Sequence, residues 1–417
     1  MMTAYKQTEL GLIPSDWEVV KFGEITELKN ERVNPLYQSG QFCIELEHLN
    51  SSTGLLCGHT FTKPTSSLKS IFKNGDILFG KLRAYLRKYW LANRNGVCST
   101  EIWVLNSKNN LSVNPFLFYI VQSNSFIKTA SEAYGTHMPR SDWNVVQGYF
   151  VALPPKPEQT AIATALSDTD ALLTELEKLL AKKQAIKTAT MQQLLTGKTR
   201  LSEFAHRADG TPKGSLKTEW GDIPEDWEVK IIKNCCETFS GGTPSTAIQE
   251  YYGGNIKWIT SSDLNKGYIW NVEKTITEKG LNNSSAKKVS KNTLLLALYG
   301  ATAGVVGITK IDATINQAVL AIIPKYDNYL FLYYWFILHK NIIVENYTQG
   351  GQANLSGDII RNIFLPMPPE PEQTAIAQIL GDMDSEINAL QARIEKLREI
   401  KQGMMQNLLT GKIRLPF

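Results

Sequence analysis

The sequence predicts an α+β protein written twice: two globular α+β domains separated by two long helices that form an antiparallel coiled coil, related by a pseudo-twofold internal duplication. Three observations predict it. The segment Leu153–Leu201 aligns without a gap on Met367–Leu415, with 25 of 49 positions identical. Both segments carry a seam at alternating spacings of three and four residues, which is the coiled-coil pattern. The stretches before them hold short strand-like runs punctuated by Gly, Asn and Pro.

The repeat sets the expected boundaries: a first domain over 1–152, a first long helix over 153–201, a linker over 202–215, a second domain over 216–366 and a second long helix over 367–417. Both helix segments open with Pro-Pro-x-Pro-Glu-Gln-Thr-Ala-Ile-Ala, from Pro154 and Pro368, and close with Leu-Leu-Thr-Gly-Lys-x-Arg-Leu, from Leu194 and Leu408. Upstream, Gly11–Val19 and Gly221–Val229 share seven of nine residues, including Ile-Pro-x-Asp-Trp-Glu-Val. A period of a little over 200 residues is far too long for a solenoid, so the unit that was duplicated is half a molecule.

Each element follows from its residues. Prolines mark the approach to the helices (Pro155, Pro157; Pro369, Pro371), where a missing N–H costs nothing. Gly197 and Gly411 follow the last apolar pair, where a left-handed residue ends a helix. The second seam is Leu380, Met383, Ile387, Leu390, Ile394, Leu397, Lys401, Met404 and Leu408. The first keeps that register with Leu166, Thr169, Leu173, Leu176, Leu180, Lys183, Lys187, Thr190 and Leu194. Two matched seams joined through a whole domain are expected to pack antiparallel. A helix over Thr160–Thr196 is roughly 55 Å long at about 1.5 Å per residue, a spacer of fixed length. In the domains, strands are expected at Asp76–Gly80, Ile102–Leu105, Lys257–Thr260, Asn292–Leu298 and Gln317–Ile323, and apolar helices at Phe116–Val121 and Leu330–Leu338. A glycine-bearing loop follows each helix, Gly135–Ser141 and Gly350–Ser356, with Ser141 and Ser356 expected at equivalent positions.

Composition narrows the class. With 43% apolar and 20% charged residues the chain is globular. Its net charge of +4 names no partner. Between Thr60 and Asn95, however, lie eight basic residues (Lys63, Lys69, Lys73, Lys81, Arg83, Arg87, Lys88, Arg94) and one acid, Asp76, a local excess suited to phosphates or to a solvated basic face. The cysteines Cys43, Cys57, Cys98, Cys235 and Cys236 form no CxxC pair, so no metal cluster is expected, and their odd number suits reduced thiols in cytoplasm. Met1–Leu10 lacks the grammar of a signal peptide. The most apolar run, Tyr329–Leu338, is too short to cross a bilayer and reads as a buried helix.

The repeated Ile-Pro-x-Asp-Trp heads, Pro-Pro-x-Pro-Glu-Gln starts and Leu-Leu-Thr-Gly-Lys ends resemble the specificity (S) subunit of type I restriction–modification systems. Ser240–Ser245, Trp258–Leu264, Tyr299–Gly304 and Thr314–Gln317 in the second half add to the likeness. The resemblance implies a monomer with two target recognition domains, each reading half of a split DNA sequence through the major groove. It implies that the helices fix the unread gap and dock two methyltransferase (M) subunits, with restriction (R) subunits completing the complex. No cofactor is expected in this chain; S-adenosylmethionine, ATP and Mg²⁺ would be used through the other subunits. A pseudo-twofold protein suits paired half-sites, and halves this dissimilar imply an asymmetric target.

Candidate contacts follow from residue chemistry. In the first domain Lys81, Arg83, Tyr85, Arg87 and Lys88 follow a predicted strand. Arginine and lysine are the usual readers of guanine and also the usual phosphate ligands; base reading, phosphate contact and plain surface charge all stay open. His137 and Arg140 lie in the first glycine loop, and Gln352 and Asn354 in its counterpart, where amides suit adenine but a structural role competes. Gly242, Thr243, Tyr299, Thr302 and Gln317 are further candidates, with the glycines serving either close backbone approach or tight turns. Trp17 and Trp227 read as core anchors, and Lys187 and Lys401 as either snorkelling seam residues or marks of where the helix pair opens to M subunits.

No enzyme motif survives inspection. Asn114-Pro115-Phe116 lacks the second proline of an adenine-methylase motif and opens an apolar helix. Gly300–Gly307 lacks both dinucleotide and P-loop spacing, and Glu228-Val-Lys230 has no counterpart lysine in Glu18-Val-Val20. A single-chain DNA-modifying enzyme would need a site the sequence lacks, and a bare coiled-coil scaffold would not need two large dissimilar domains.

Overall fold

The computed structural model describes residues 4–108, 110–132, 138–218, 221–347 and 354–416. The chain forms two compact units, Met1–Lys178 with Gln391–Phe417, and Leu179–Leu390. Each unit therefore holds one globular domain and about half of each long helix.

The long helices span Lys156–Leu194 and Glu370–Leu408, 39 residues each. The first starts four residues before the expected Thr160 because Pro157 falls in the first turn, where its lack of an N–H is harmless. Within each unit the helix segments run antiparallel. In the first unit Arg398 pairs with Glu177 at 2.6 Å and Thr169 Oγ1 donates to Met404 Sδ at 3.7 Å. In the second, Lys183 pairs with Glu386 at 2.7 Å. The expected seam faces inward: Leu166, Leu173, Leu176, Leu380, Ile387 and Ile394 are buried, and Leu180, Leu390 and Leu397 are half-buried. Each buried aliphatic side chain contributes on the order of 1.5–3 kcal/mol.

The two domains share one sheet plan. In the first, Thr26–Lys29, Ile102–Ser107, Ile77–Gly80 and Tyr89–Leu91 form an antiparallel sheet in that order. In the second, Cys236–Ser240, Val319–Pro324, Leu294–Ala297 and Val306–Thr309 repeat the order, extended by the parallel strand Tyr268–Ile269. Beside it lies a second sheet with a parallel pair, Phe42–Ile44 with Gly96–Ser99 in the first domain and Tyr252–Ile259 with Ala313–Ile315 in the second. The predicted strands lie on these sheets. The apolar helices pack beneath them: Phe116, Leu117 and Ile120 are buried in the first core, and Phe331, Tyr334, Trp335 and Phe336 in the second. The second of these helices runs Tyr329–Tyr347, well past the expected Leu338. Among the described residues no helix is long and apolar enough to cross a membrane, no group of side chains is arranged to hold a metal ion, and all five cysteines are free thiols.

Candidate nucleic-acid interface

The same three segments meet at the end of the main sheet in each domain. In the first, the strand Ile77–Gly80 runs into the loop 81–88. Lys81 N–H donates to Glu101 O at 3.0 Å, Ser141 N–H to Lys81 O at 2.9 Å and Arg83 N–H to Pro139 O at 2.9 Å; Leu82 and Arg140 form a β-bridge. In the second, Leu298 N–H donates to Ala318 O at 2.8 Å and Leu355 N–H to Leu298 O at 2.7 Å, and Tyr299 bridges Asn354. The described ends of the glycine loops, 138–141 and 354–356, and the post-strand loops, far apart in sequence, thus form one surface in both domains. The backbone pairing also corrects the expected alignment. Ser141 corresponds to Leu355, and Ser356 to Asp142. Ser356 and Asp142 cap short helices by accepting from Ile359 N–H at 3.2 Å and Asn144 N–H at 2.9 Å, whereas Ser141 is buried and donates to Ala130 O at 2.6 Å.

The loop geometry is conserved where the side chains are not. Two left-handed residues sit four apart in each, Arg83 and Arg87 at φ 54° and 53°, and Gly300 and Gly304 at φ 78° and 74°. Arginine in that region costs about 1 kcal/mol or more relative to its relaxed conformation, and glycine does not.

On the first face the five cation-and-aromatic candidates divide. Arg83 is exposed, with no hydrogen-bond or ion-pair partner for its side chain among the described residues, and Tyr85 is 56% exposed. Lys81 is half-buried. Arg87 turns inward and donates to Gln122 O at 3.1 Å and to Asn124 Oδ1. Lys88 donates to Leu46 O at 2.5 Å. Arg87 and Lys88 are thus partly committed to the protein itself. Arg140 pairs with Glu101 at 2.9 Å, and that hydrogen bond raises the guanidinium pKa. The rest of the basic stretch is also sorted by the fold. Asp76 is fully buried against Lys29 at 2.7 Å, and Lys69 is buried on Glu45 at 2.7 Å, leaving Lys63, Lys73 and Arg94 outward besides Arg83 in the sequence run.

The candidates on the second face are uncharged. Gln317 is exposed and accepts from Thr243 Oγ1 at 2.5 Å, so its amide N–H₂ remains available. Asn354 is exposed, Tyr299 is 36% exposed and Thr302 is half-buried. Gly242 is buried. An added Cβ there would lie 2.1 Å from Ser285 Oγ, and one on Gly241 1.8 Å from Ile315 O, so close packing against neighbouring segments accounts for both glycines. His137 and Gln352 lie outside the described residues.

The family model for the type I restriction modification DNA specificity domain matches residues 14–188 and again 224–401, once for each half of the duplication. The chain belongs to that family. The type I restriction enzyme MjaVIII specificity subunit of Methanocaldococcus jannaschii is 27% identical over 97% of this chain and 94% of its own. The MjaIX specificity subunit of the same organism is 38% identical over 46% of this chain and 45% of its own. A crystal structure of the type I restriction-modification S subunit from M. genitalium shares the fold, with a TM-score of 0.60 at 16% identity over 98% of this chain and 99% of that one. Membership places the chain among specificity subunits, as the resemblance implied, rather than among the catalytic ones.

The repeated motifs of this specificity subunit turn out to be the parts of one clamp, built twice. In the first unit Glu158, fully buried, accepts from Trp17 Nε1 at 2.9 Å and from Arg414, which also forks onto Asp16 at 2.9 and 2.8 Å. In the second, Glu372 accepts from Trp227 Nε1 at 3.2 Å and from Arg200, which forks onto Asp226 at 2.8 and 3.2 Å. Gly411 and Gly197, both left-handed, close on Pro14 and Pro224, where an added Cβ would lie 2.4 Å from the ring Cδ. Head, helix start and helix end therefore meet at one point. Trp17 and Trp227 are core anchors, at 0% and 4% exposure. The hydrogen bond from Arg414 holds the Asp16 carboxyl below the usual range. Burial opposes the same effect at Asp226, where Arg200 and Lys213 still win.

A second device is also duplicated. Lys401 pairs with Asp170 at 2.6 Å, Asp170 accepts from Tyr119 OH at 2.9 Å, and the ammonium lies 5.7 Å from the Tyr119 ring centroid. In the other unit Lys187 pairs with Asp384, Asp384 accepts from Tyr334 OH at 2.8 Å, and the ring is 5.3 Å away. The seam lysines are thus held in ion pairs rather than snorkelling. Each joins the facing helix to the apolar helix of the domain. Burial first, then the adjacent carboxylate, raises both tyrosine pKa values. Sequence reasoning missed these partners, although Glu158 and Glu372, Arg200 and Arg414, and Asp170 and Asp384 all stand at identical positions of the repeat.

Proposed function

We propose that this specificity subunit reads an asymmetric, bipartite double-stranded DNA target, one half-site per domain, while its paired helices set the unread gap and dock two methyltransferase subunits. Restriction subunits complete the assembly, and S-adenosylmethionine, ATP and Mg²⁺ act through those partners in the cytoplasm. One observation carries the reading: both domains present the same three-segment face on the same sheet end, and its side chains differ at matched positions. Arginine stands on one face and amides on the other, and these groups recognise different base edges. Exposed apolar residues at seven-residue spacing on the first long helix, Leu172, Leu179 and Ile186 at 44%, 41% and 43% exposure, support docking of partner helices.

The test is co-expression with the methyltransferase subunit in methylation-free cells, followed by genome-wide mapping of N6-methyladenine. A split motif with unlike halves and a constant gap is expected. A continuous motif, or identical half-sites, would contradict the reading. Exchanging 1–152 for the corresponding domain of another specificity subunit should change one half-site only.

A further inference from the structure

We propose that Arg83 is the specificity-determining side chain of the first domain and that it reads a guanine in that domain's half-site. The inference rests on the reading of the domains as independent half-site readers. Arg83 holds a left-handed conformation at φ 54°, which non-glycine residues avoid, and the matched loop of the second domain places Gly300 there, at φ 78°. A strained residue kept where glycine would be relaxed is where function is to be sought.

The surroundings make the loop a fixed platform. Arg83 N–H donates to Pro139 O at 2.9 Å and its carbonyl accepts from Leu86 N–H at 2.8 Å, while Leu82 pairs with Arg140 and Ala84 is buried. Of the nearby cations, Arg87 is engaged with Gln122 and Asn124, Lys88 with Leu46 O and Arg140 with Glu101, while Lys81 is half-buried. The exposed Arg83 guanidinium has no such partner among the described residues. Its fork of two N–H donors matches the O6 and N7 acceptors of guanine. The second domain, bare at this position, reads its half-site by other groups. On a backbone path that the two loops share, Arg83 is thus the exposed guanidinium that the first domain has and the second lacks.

The experiment uses the full chain co-assembled with its methyltransferase subunit and compares wild type, Arg83→Gly and Arg83→Lys by methylation mapping and by rates on synthetic duplexes. Arg83→Gly installs the residue that the matched loop already carries, so thermal stability and assembly should be equal or better. Methylation of the cognate duplex should fall about 5- to 150-fold, the range of a good bidentate contact. One guanine of one half-site should become degenerate, with the other half-site and the gap unchanged. Arg83→Lys, which keeps the charge but loses the fork, should relax the same position. An unchanged motif and rate in Arg83→Gly would overturn the assignment. So would a uniform loss across sequences restored by Arg83→Lys, the behaviour of a phosphate contact. A wild-type complex that methylates no split motif would overturn the underlying reading instead.

Discussion

The clamps and the faces of this molecule changed at different rates, and the contrast separates scaffold from reader. At the clamp, tryptophan, glutamate, arginine, aspartate and glycine recur residue for residue in both units. At the face, the backbone bridges recur but Arg83 stands against Gly300, Leu82 against Tyr299, and Arg140 against Asn354. A buried ion cluster tolerates no substitution of one partner alone, because the charge left behind cannot be solvated. A face whose frame is held by backbone hydrogen bonds places no such demand on its side chains, so they are free to specify sequence.

The comparison predicts equal damage at the clamps. Glu158→Ala and Glu372→Ala each strand an arginine and a tryptophan N–H, and each should cost about 3–5 kcal/mol in urea unfolding. Costs differing by more than about 2 kcal/mol would break the claim that the two units share one frame. At the faces the effects should instead be unequal and confined. Gln317→Ala removes an exposed amide and should leave stability within about 0.5 kcal/mol, while relaxing one base pair of the second half-site by about 1–3 kcal/mol. A matching change in the first half-site would contradict independent reading.

The lysine devices are expected to have intermediate weight. Tyr119→Phe and Tyr334→Phe each remove one hydrogen bond to a paired aspartate and should cost about 1 kcal/mol. Lys401→Leu and Lys187→Leu should cost more, since an aspartate is left unpaired at a half-buried site. Unchanged melting in either lysine variant would show that the ion pair is idle.

The smallest effect is in pH. Asp16 and Asp226 have folded pKa values below their ordinary value of 3.8, so their contribution is present above that value and lost as pH falls through the depressed folded one. Stability should decline below about pH 4, and Asp226→Asn should flatten part of that decline. Asp16 is largely solvent-facing, so Asp16→Asn should flatten it less.

Much of this was legible in the sequence, for physical reasons that particular residues make clear. The seam from Leu380 to Leu408 keeps its period over the whole helix, and a long periodic signal leaves little room for another structure. The repeated Ile-Pro-x-Asp-Trp heads stand at the start of the two stretches that the family model matches, 14–188 and 224–401. What stayed hidden depended on partners distant along the chain. Arg200 meets Glu372 across 172 residues and Arg414 meets Glu158 across 256, and no local pattern announces such a meeting. Nor does local pattern tell Arg83 from Arg87: their left-handed turns are set by pairing with residues 139–141 and by the helix ends at Gln122 and Asn124. The off-by-one match of Ser141 with Ser356 had the same cause, since only the backbone bridges show which residues correspond.

The most direct test of the central claim is a chimera in which residues 1–152 are replaced by a second copy of 216–366, assembled with the methyltransferase subunit and mapped for N6-methyladenine. Two copies of one face on a duplicated frame should read an inverted repeat, with both halves equal to the wild type's second half-site and the gap unchanged. An asymmetric target from a stably assembled chimera, or retention of the original first half-site, would contradict the account.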